Sequence, residues 1–216
     1  MKKAISISLV IIVMVILGLT YMTAQQVPEL TPIAAHSEYD NTPDRYLTVT
    51  RIKKPWIAPK NYVVKKFIES IPEFEKVDGL LFKSYAFTED HGHFGGIYLW
   101  KDENAAKKWF NSAWHERIRQ KYDQTGQITY YRVINTRTLR KITETKGKYY
   151  TVISAAKIVF NDAPKGLLRI TNALDASGNK VHITLWKSQK YARDYFRKYV
   201  TNNLYFVTPV LLNNQN

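Results

Sequence analysis

Hydrophobic and polar positions change period several times along this chain, and the changes mark out its elements. Residues 45–52 alternate and are rich in β-branched side chains, which predicts a strand with Leu47, Val49 and Arg51 on one face. Val64, Phe67, Ile68 and Ile71 then recur at helical spacing, and Pro72 is expected to end that helix. Residues 79–88 read as a second strand, 89–93 as a turn and 94–101 as the returning strand. Asp102 suits an N-cap, with Glu103 in the first turn of a single long helix and Arg117, Arg119 and Lys121 in its last. Ala106, Trp109, Phe110, Ala113 and Ile118 form its apolar stripe, and residues 128–134 supply a fourth strand. The order is βαββαβ, that of a ferredoxin-like unit.

The second half repeats this order in outline. Gly79-Leu80-Leu81 returns as Gly166-Leu167-Leu168, and Leu99-Trp100-Lys101 returns as Leu185-Trp186-Lys187 at nearly the same offset. Residues 175–179 read as a hairpin turn between them. Ser188 is expected to cap a helix whose inner side carries Tyr191, Ala192, Tyr195, Phe196 and Tyr199. A last strand over 204–212 contains Pro209, which predicts a place near a sheet edge. Two segments at a near-constant offset with one element order imply an internal duplication. Too few residues separate Tyr149 from Gly166 for a full first helix, so that helix is expected to be short or missing within 155–163.

Composition adds limits. The 216 residues hold no Cys, which excludes disulfides, thiolate nucleophiles and Cys-ligated zinc. Lys2 and Lys3 precede an uncharged apolar run over 4–22, which at about 1.5 Å per residue nearly spans a bilayer core of about 30 Å. Residues 1–24 therefore read as a signal anchor or a signal peptide, with the anchor favoured because Met22 suits a cleavage site poorly. Either way the body is expected to be exported: membrane-anchored by the N-terminal helix, or secreted or periplasmic after cleavage. Residues 25–44, with Pro28, Pro32 and Pro43, read as a linker, 45–138 as unit 1 and 139–216 as a degenerate unit 2. The net charge of +14 favours an anionic membrane surface as partner, and export disfavours nucleic acid.

The stretch Gly95-Gly96-Ile97-Tyr98-Leu99-Trp100-Lys101-Asp102-Glu103, followed by Ala105-Ala106, resembles the YdhR-type monooxygenases of the antibiotic-biosynthesis-monooxygenase-like superfamily. The similar region covers about residues 79–134. The resemblance implies a dimeric α+β barrel, in which two ferredoxin-like units join their sheets. A tandem copy would build that barrel within one chain. The expected fold is thus α+β, with two tandem ferredoxin-like units in an intrachain barrel behind an N-terminal apolar helix; the chain would be a monomer (an internal pseudo-dimer) or a homodimer. The resemblance also implies pockets between sheet and helices and, in part of the superfamily, cofactor-independent oxygenation of phenolic substrates. Many members carry a His late in the second helix, where His115 stands. A haem-degrading branch uses a Trp on this helix, which Trp109 resembles, and an Asn on the first strand. Here that strand reads Val49-Thr50-Arg51, so haem is not expected.

The candidate chemistry follows from these placements. His115 is the candidate base or substrate-orienting imidazole. Trp109, Trp100 and Trp114 are candidate walls for a planar ligand, and Tyr85 and Tyr98, on adjacent strands, could hydrogen-bond a phenol; ordinary core packing is the competing reading for each. Glu89, Asp90, His91 and His93 sit in one turn, a poor geometry for a single ion, so no metal is expected, and no cofactor either. Gly95-Gly96 enters a strand rather than a helix and reads as a bulge or a close backbone approach. Two functions remain open: a monooxygenase-like protein acting on a small aromatic or quinol-like molecule, or a non-catalytic barrel binding a ligand or partner at the membrane.

Overall fold

A computed structural model of the chain describes residues 38–142, 144–155, 163–197 and 203–214. The apolar run over 4–22, most of the linker, Tyr199 and most of the segment expected to hold the first helix of unit 2 lie outside the described residues. Among those residues no helix is long and apolar enough to cross a membrane.

Among the described residues nine strands and five helices follow one another. They are β1 (Glu38–Asp40), β2 (Tyr46–Lys53), α1 (Lys60–Glu69), α2 (Ile71–Phe74), β3 (Leu80–Thr88), β4 (His93–Trp100), α3 (Glu103–Trp109), α4 (Ser112–Tyr122), β5 (Gln127–Thr138), β6 (Lys146–Ser154), β7 (Leu167–Leu174), β8 (Lys180–Trp186), α5 (Gln189–Phe196) and β9 (Leu204–Asn213). The sheet runs β1-β5-β2-β4-β3-β9-β6-β8-β7, and β5 also pairs with β7. Every pairing is antiparallel, so β2 to β9 close into an eight-stranded barrel with β1 added at the rim. The first-half order β5-β2-β4-β3 and the second-half order β9-β6-β8-β7 are the same permutation of four successive strands. The two Gly-Leu-Leu segments also do the same local work. Gly79 and Gly166 take φ of 77° and 83°, and their carbonyls accept from the N–H of Lys101 and Lys187 at 2.8 Å each. Glycine adopts such positive φ without steric cost.

Strand alternation sends one set of side chains inward, where Leu47, Val49, Phe82, Ile97, Leu99, Tyr131, Ile153, Ile183 and Leu185 form a core shared by both halves. The other set meets the helices: a large cluster outside the first-half sheet and a smaller one around Trp186 and α5.

Four expectations are corrected. The linker does not run to residue 44, because Glu38–Asp40 pairs with Thr136–Thr138 of the long strand β5, beyond the point where β2 leaves it. Pro72 does not end α1, which stops at Glu69; it opens the short α2, where its missing N–H costs no hydrogen bond. The long second helix is two helices. Phe110 leaves helical geometry, and the Asn111 side chain accepts from Trp114 N, so that Asn111 starts α4 as an N-cap. Finally, β9 is not an edge strand but lies between β3 and β6. Its Pro209 falls where both ladders skip, between Val207 and Val210 opposite β3 and between Thr208 and Val210 opposite β6, so its lack of an N–H removes no regular bond.

Candidate functional site

The outer face of β2, β3 and β4 and the inner faces of α1 to α4 enclose a layer built largely of aromatic rings. On β3 the side chains of Lys83, Tyr85 and Phe87 point into it, as do Tyr98 and Trp100 on β4. Trp109, at the end of α3, lies 5.2 Å from the ring of Phe74 at the end of α2. Phe74 meets Tyr85 at 5.8 Å and Tyr98 at 6.0 Å. Tyr98 stacks on Trp100 at 5.8 Å and 14° and meets Phe110 edge-on, and Phe110 meets Trp114 at 5.1 Å. Trp114 ends the series against His115 at 5.0 Å. All six candidate residues therefore belong to one continuous chain of ring contacts.

Their polar atoms are disposed differently. Trp100 is fully buried and donates from Nε1 to Thr48 Oγ1 at 2.9 Å, as a core tryptophan does. The Tyr85 hydroxyl shares a hydrogen bond with Ser70 Oγ at 3.2 Å, and burial pushes its phenol up. Burial likewise pushes Tyr98 up to about 12, against the pull of its hydrogen bond with Thr50. Gly96 makes the Tyr98 position possible: a Cβ there would stand 2.8 Å from the Tyr98 ring. A Cβ at Gly95 would stand 2.2 Å from the Thr50 carbonyl oxygen. The β2–β4 ladder runs through both glycines without a shift, so they mark close approach and not a bulge.

His115 is half-buried on α4, and its ring nitrogens have no hydrogen-bond partner among the described residues. The imidazole packs edge-on against Trp114, without an orienting acceptor of the kind base chemistry uses among the described residues. Trp109 differs from the other tryptophans. Its Nε1 is buried with no acceptor among the described residues, while Arg117 lies over the ring at 5.6 Å.

The residue at the centre of the layer is not among the sequence candidates. Lys83 is only 3% exposed, and its Nζ lies 2.9 Å from the Phe74 ring centre, 3.7 Å from that of Tyr85 and 4.8 Å from that of Tyr98. Burial drives its amine well below the usual lysine range; the charge of Glu73 opposes this and that of Arg117 adds to it. The signal was present in the strand parity, since Lys83 shares a face with Tyr85 and Phe87.

The turn after β3 does not gather its acids and imidazoles. Glu89 accepts from the Tyr150 hydroxyl at 2.5 Å, from Gln189 Nε2 at 2.9 Å and from the Arg193 guanidinium, tying the first half to β6 and α5. Asp90 accepts from Thr88 and Gly92, and no group of three or more His, Asp or Glu able to hold a metal occurs among the described residues. Inside the barrel, between the halves, Phe82, Ser84, Thr151, Arg169 and Thr171 border a void of about 30 Å³, room for a water or two rather than an aromatic molecule. Among the described residues the second half has a smaller ring cluster, around Trp186, Tyr195 and Phe196, and no counterpart of the Lys83–Tyr98 pair. Where Lys83 opposes Tyr98, Ile170 opposes Thr184; where Tyr85 opposes Gly96, Asn172 opposes His182.

Residues 51–153, which include the whole aromatic layer apart from the inner end of β2 and part of β9, match the family model described as "Putative mono-oxygenase ydhR". This stretch is ydhR-like. Solved structures agree on the fold. A putative monooxygenase from Fusobacterium nucleatum superposes with a TM-score of 0.55 at 13% identity, over 79% of this chain and 95% of that one. One from Lactobacillus acidophilus gives 0.52 at 9% identity, over 79% and 97%. An anthrone oxidase-like protein gives 0.51 at 11% identity, over 83% and 98%. Among curated proteins none matches. The ydhR-like stretch stops at the end of β6, so the layer described above falls to the half of the barrel that the family model reaches.

Proposed function

We propose that the chain is a monooxygenase-like protein that takes a small aromatic or quinol-like molecule into the layer between the first-half sheet and α1 to α4, without a resident cofactor. The observation that carries this reading is the convergence of Tyr85, Tyr98 and Trp109 on the Phe74 ring, with the buried Trp109 N–H unpaired among the described residues and the Lys83 ammonium set against the ring face. Aromatic walls with a few placed polar groups are the ordinary make-up of a small-molecule site. The fold shared with an anthrone oxidase-like protein agrees with such a ligand. The two halves, with their common strand permutation, are read as a tandem duplication of a ferredoxin-like unit in which only the first copy keeps the site.

The body is further proposed to be exported and to sit at an anionic membrane surface. The lysines and apolar run at the N-terminus support export. The loop between β2 and α1 supports membrane contact: Trp56 is 92% exposed and Ile57 73%, between Lys53, Lys54 and Lys60. An exposed Trp beside lysines suits the interface of an anionic bilayer.

A second reading keeps the same layer but no turnover. It is favoured by the absence of an orienting partner for His115 and by the dense filling of the layer around Lys83. Screening the full chain with phenols and hydroquinones, reading binding and dioxygen uptake separately, decides between them. Binding with uptake that falls in His115→Ala and Trp109→Ala supports the enzyme; binding without uptake supports the second reading. Absence of binding to any phenol overturns both.

A further inference from the structure

Resting on the reading of the first-half layer as an aromatic site, we infer that its ligand presents an acceptor oxygen (phenolate, carboxylate or carbonyl) to Lys83 Nζ and Trp109 Nε1 together. Both donors border the same ring: Lys83 Nζ lies 2.9 Å from the Phe74 ring centre, and the Trp109 ring lies 5.2 Å from it. Neither has an acceptor among the described residues. The indole N–H is buried and unpaired, and the Lys83 ammonium has ring faces and the charge of Glu73 as its only partners.

Ring faces do not make up this deficit. The three rings attract the cation but present no lone pair in hydrogen-bond geometry, so the donor capacity of the ammonium and of the buried indole N–H is left unmet. Glu73 does not close the gap by hydrogen bonding, because its carboxylate lies at the exposed rim, 3.7 Å from Arg117. With the Tyr85 and Tyr98 hydroxyls already engaged by Ser70 and Thr50, two donors without an acceptor among the described residues are complementary to one oxygen on a flat aromatic body. The cover over that place is thin. No residue of the four-residue helix α2 is buried, and the Glu73–Arg117 pair that links it to α4 is exposed on both sides. Outward movement of Phe74 with α2 would open the face of Lys83 to such a ligand.

The test compares 1-naphthoate, 1-naphthol and naphthalene with the full chain by equilibrium dialysis at high salt, which screens adsorption to the basic surface. The Trp109 indole resonance, identified through Trp109→Phe, is followed in parallel. The expected result is that naphthoate binds at least about tenfold tighter than naphthalene, with naphthol between them. The Trp109 N–H should move downfield with the two oxygen-bearing probes and not with naphthalene. Lys83→Met should bring naphthoate down to naphthalene and leave naphthalene within about twofold. Equal binding of naphthoate and naphthalene, or a preference unchanged in both Lys83→Met and Trp109→Phe, overturns the oxygen-binding inference while leaving an aromatic site. If none of the three binds, the aromatic site itself is wrong and the inference falls with it.

Discussion

Lys83 holds its ammonium 2.9 Å from the centre of the Phe74 ring, with no hydrogen-bond acceptor among the described residues. Burying this amine costs stability, and the cost depends on pH. Burial lowers the Lys83 pKa in the folded chain well below 10.5. Between the folded and the unfolded pKa the unfolded chain therefore binds more protons, so stability rises with pH across that window. Lys83→Met removes the burden. The variant is expected to be more stable than the parent by about 1–3 kcal/mol at neutral pH. The gap should narrow as pH rises towards that of a free lysine. Urea unfolding of both proteins at pH 7 and pH 10 checks this; equal gaps at the two values would show that Lys83 is not the titrating group.

Glu89 makes the opposite contribution at the seam between the halves. Its desolvation is outweighed by hydrogen bonds from Tyr150 and Arg193, which hold the carboxyl below its ordinary 4.5. A depressed carboxyl stabilises the fold above the unfolded pKa, and that contribution is lost as pH falls through the folded one. Glu89→Gln is expected to cost about 1–3 kcal/mol at neutral pH. Parent and variant should converge in acid, between about pH 5 and pH 3. Thermal unfolding across pH 3–7 reads the convergence directly.

Gly96 has a different constraint. Its φ is unexceptional, but a Cβ would stand 2.8 Å from the Tyr98 ring, which Trp100 and Phe110 hold in place. Gly96→Ala is expected to destabilise by about 1–3 kcal/mol through overpacking. Gly178→Ala offers a contrast, since φ is +82° there and a Cβ meets nothing within 4 Å, so its cost of about 1–2 kcal/mol comes from the backbone alone. Adding Tyr98→Leu should relieve Gly96→Ala and leave Gly178→Ala unchanged, which a double-mutant cycle in urea measures.

These residues also show what could be read without coordinates. The alternation in β2 to β4, the Asp102 cap and the paired Gly79 and Gly166 turns are local, and local chemistry states them in the sequence. The central place of β9 is not local. A proline argues for an edge unless both neighbouring ladders skip at the same point, and the skip depends on strands far away in sequence. The break at Asn111 was readable in principle, because an Asn-Ser pair is a good helix start, but the continuous apolar stripe concealed it. The six aromatic candidates form one series because period alone assigns their faces. Lys83 is hidden from sequence because a lysine in a strand ordinarily faces solvent. A helix that finishes at Pro72 would leave Phe74 outside it, whereas α2 carries Phe74 onto the layer.

The loop between β2 and α1 makes the last prediction. Residues 53–66 carry Lys53, Lys54, Lys60, Lys65 and Lys66 with no acid, while Trp56 and Ile57 stand out in solvent. Lys54 Nζ donates to the carbonyls of Pro55 and Ala58, so the loop is braced and its apolar tip is held outward. Each lysine near an anionic surface contributes about 1 kcal/mol, and the tip adds apolar burial. Because the chain has no Cys, Ile57→Cys offers a single attachment point for a polarity-sensitive dye, and Gln120→Cys on α4 offers a control in the same full-length protein. With the chain in vesicles containing anionic lipid, the dye at position 57 is expected to shift to the blue, while the dye at 120 stays unchanged. The shift should weaken with salt and in zwitterionic vesicles. Equal behaviour at 57 and 120 would remove the loop as a membrane contact and leave a protein partner as the reason for its exposed tryptophan.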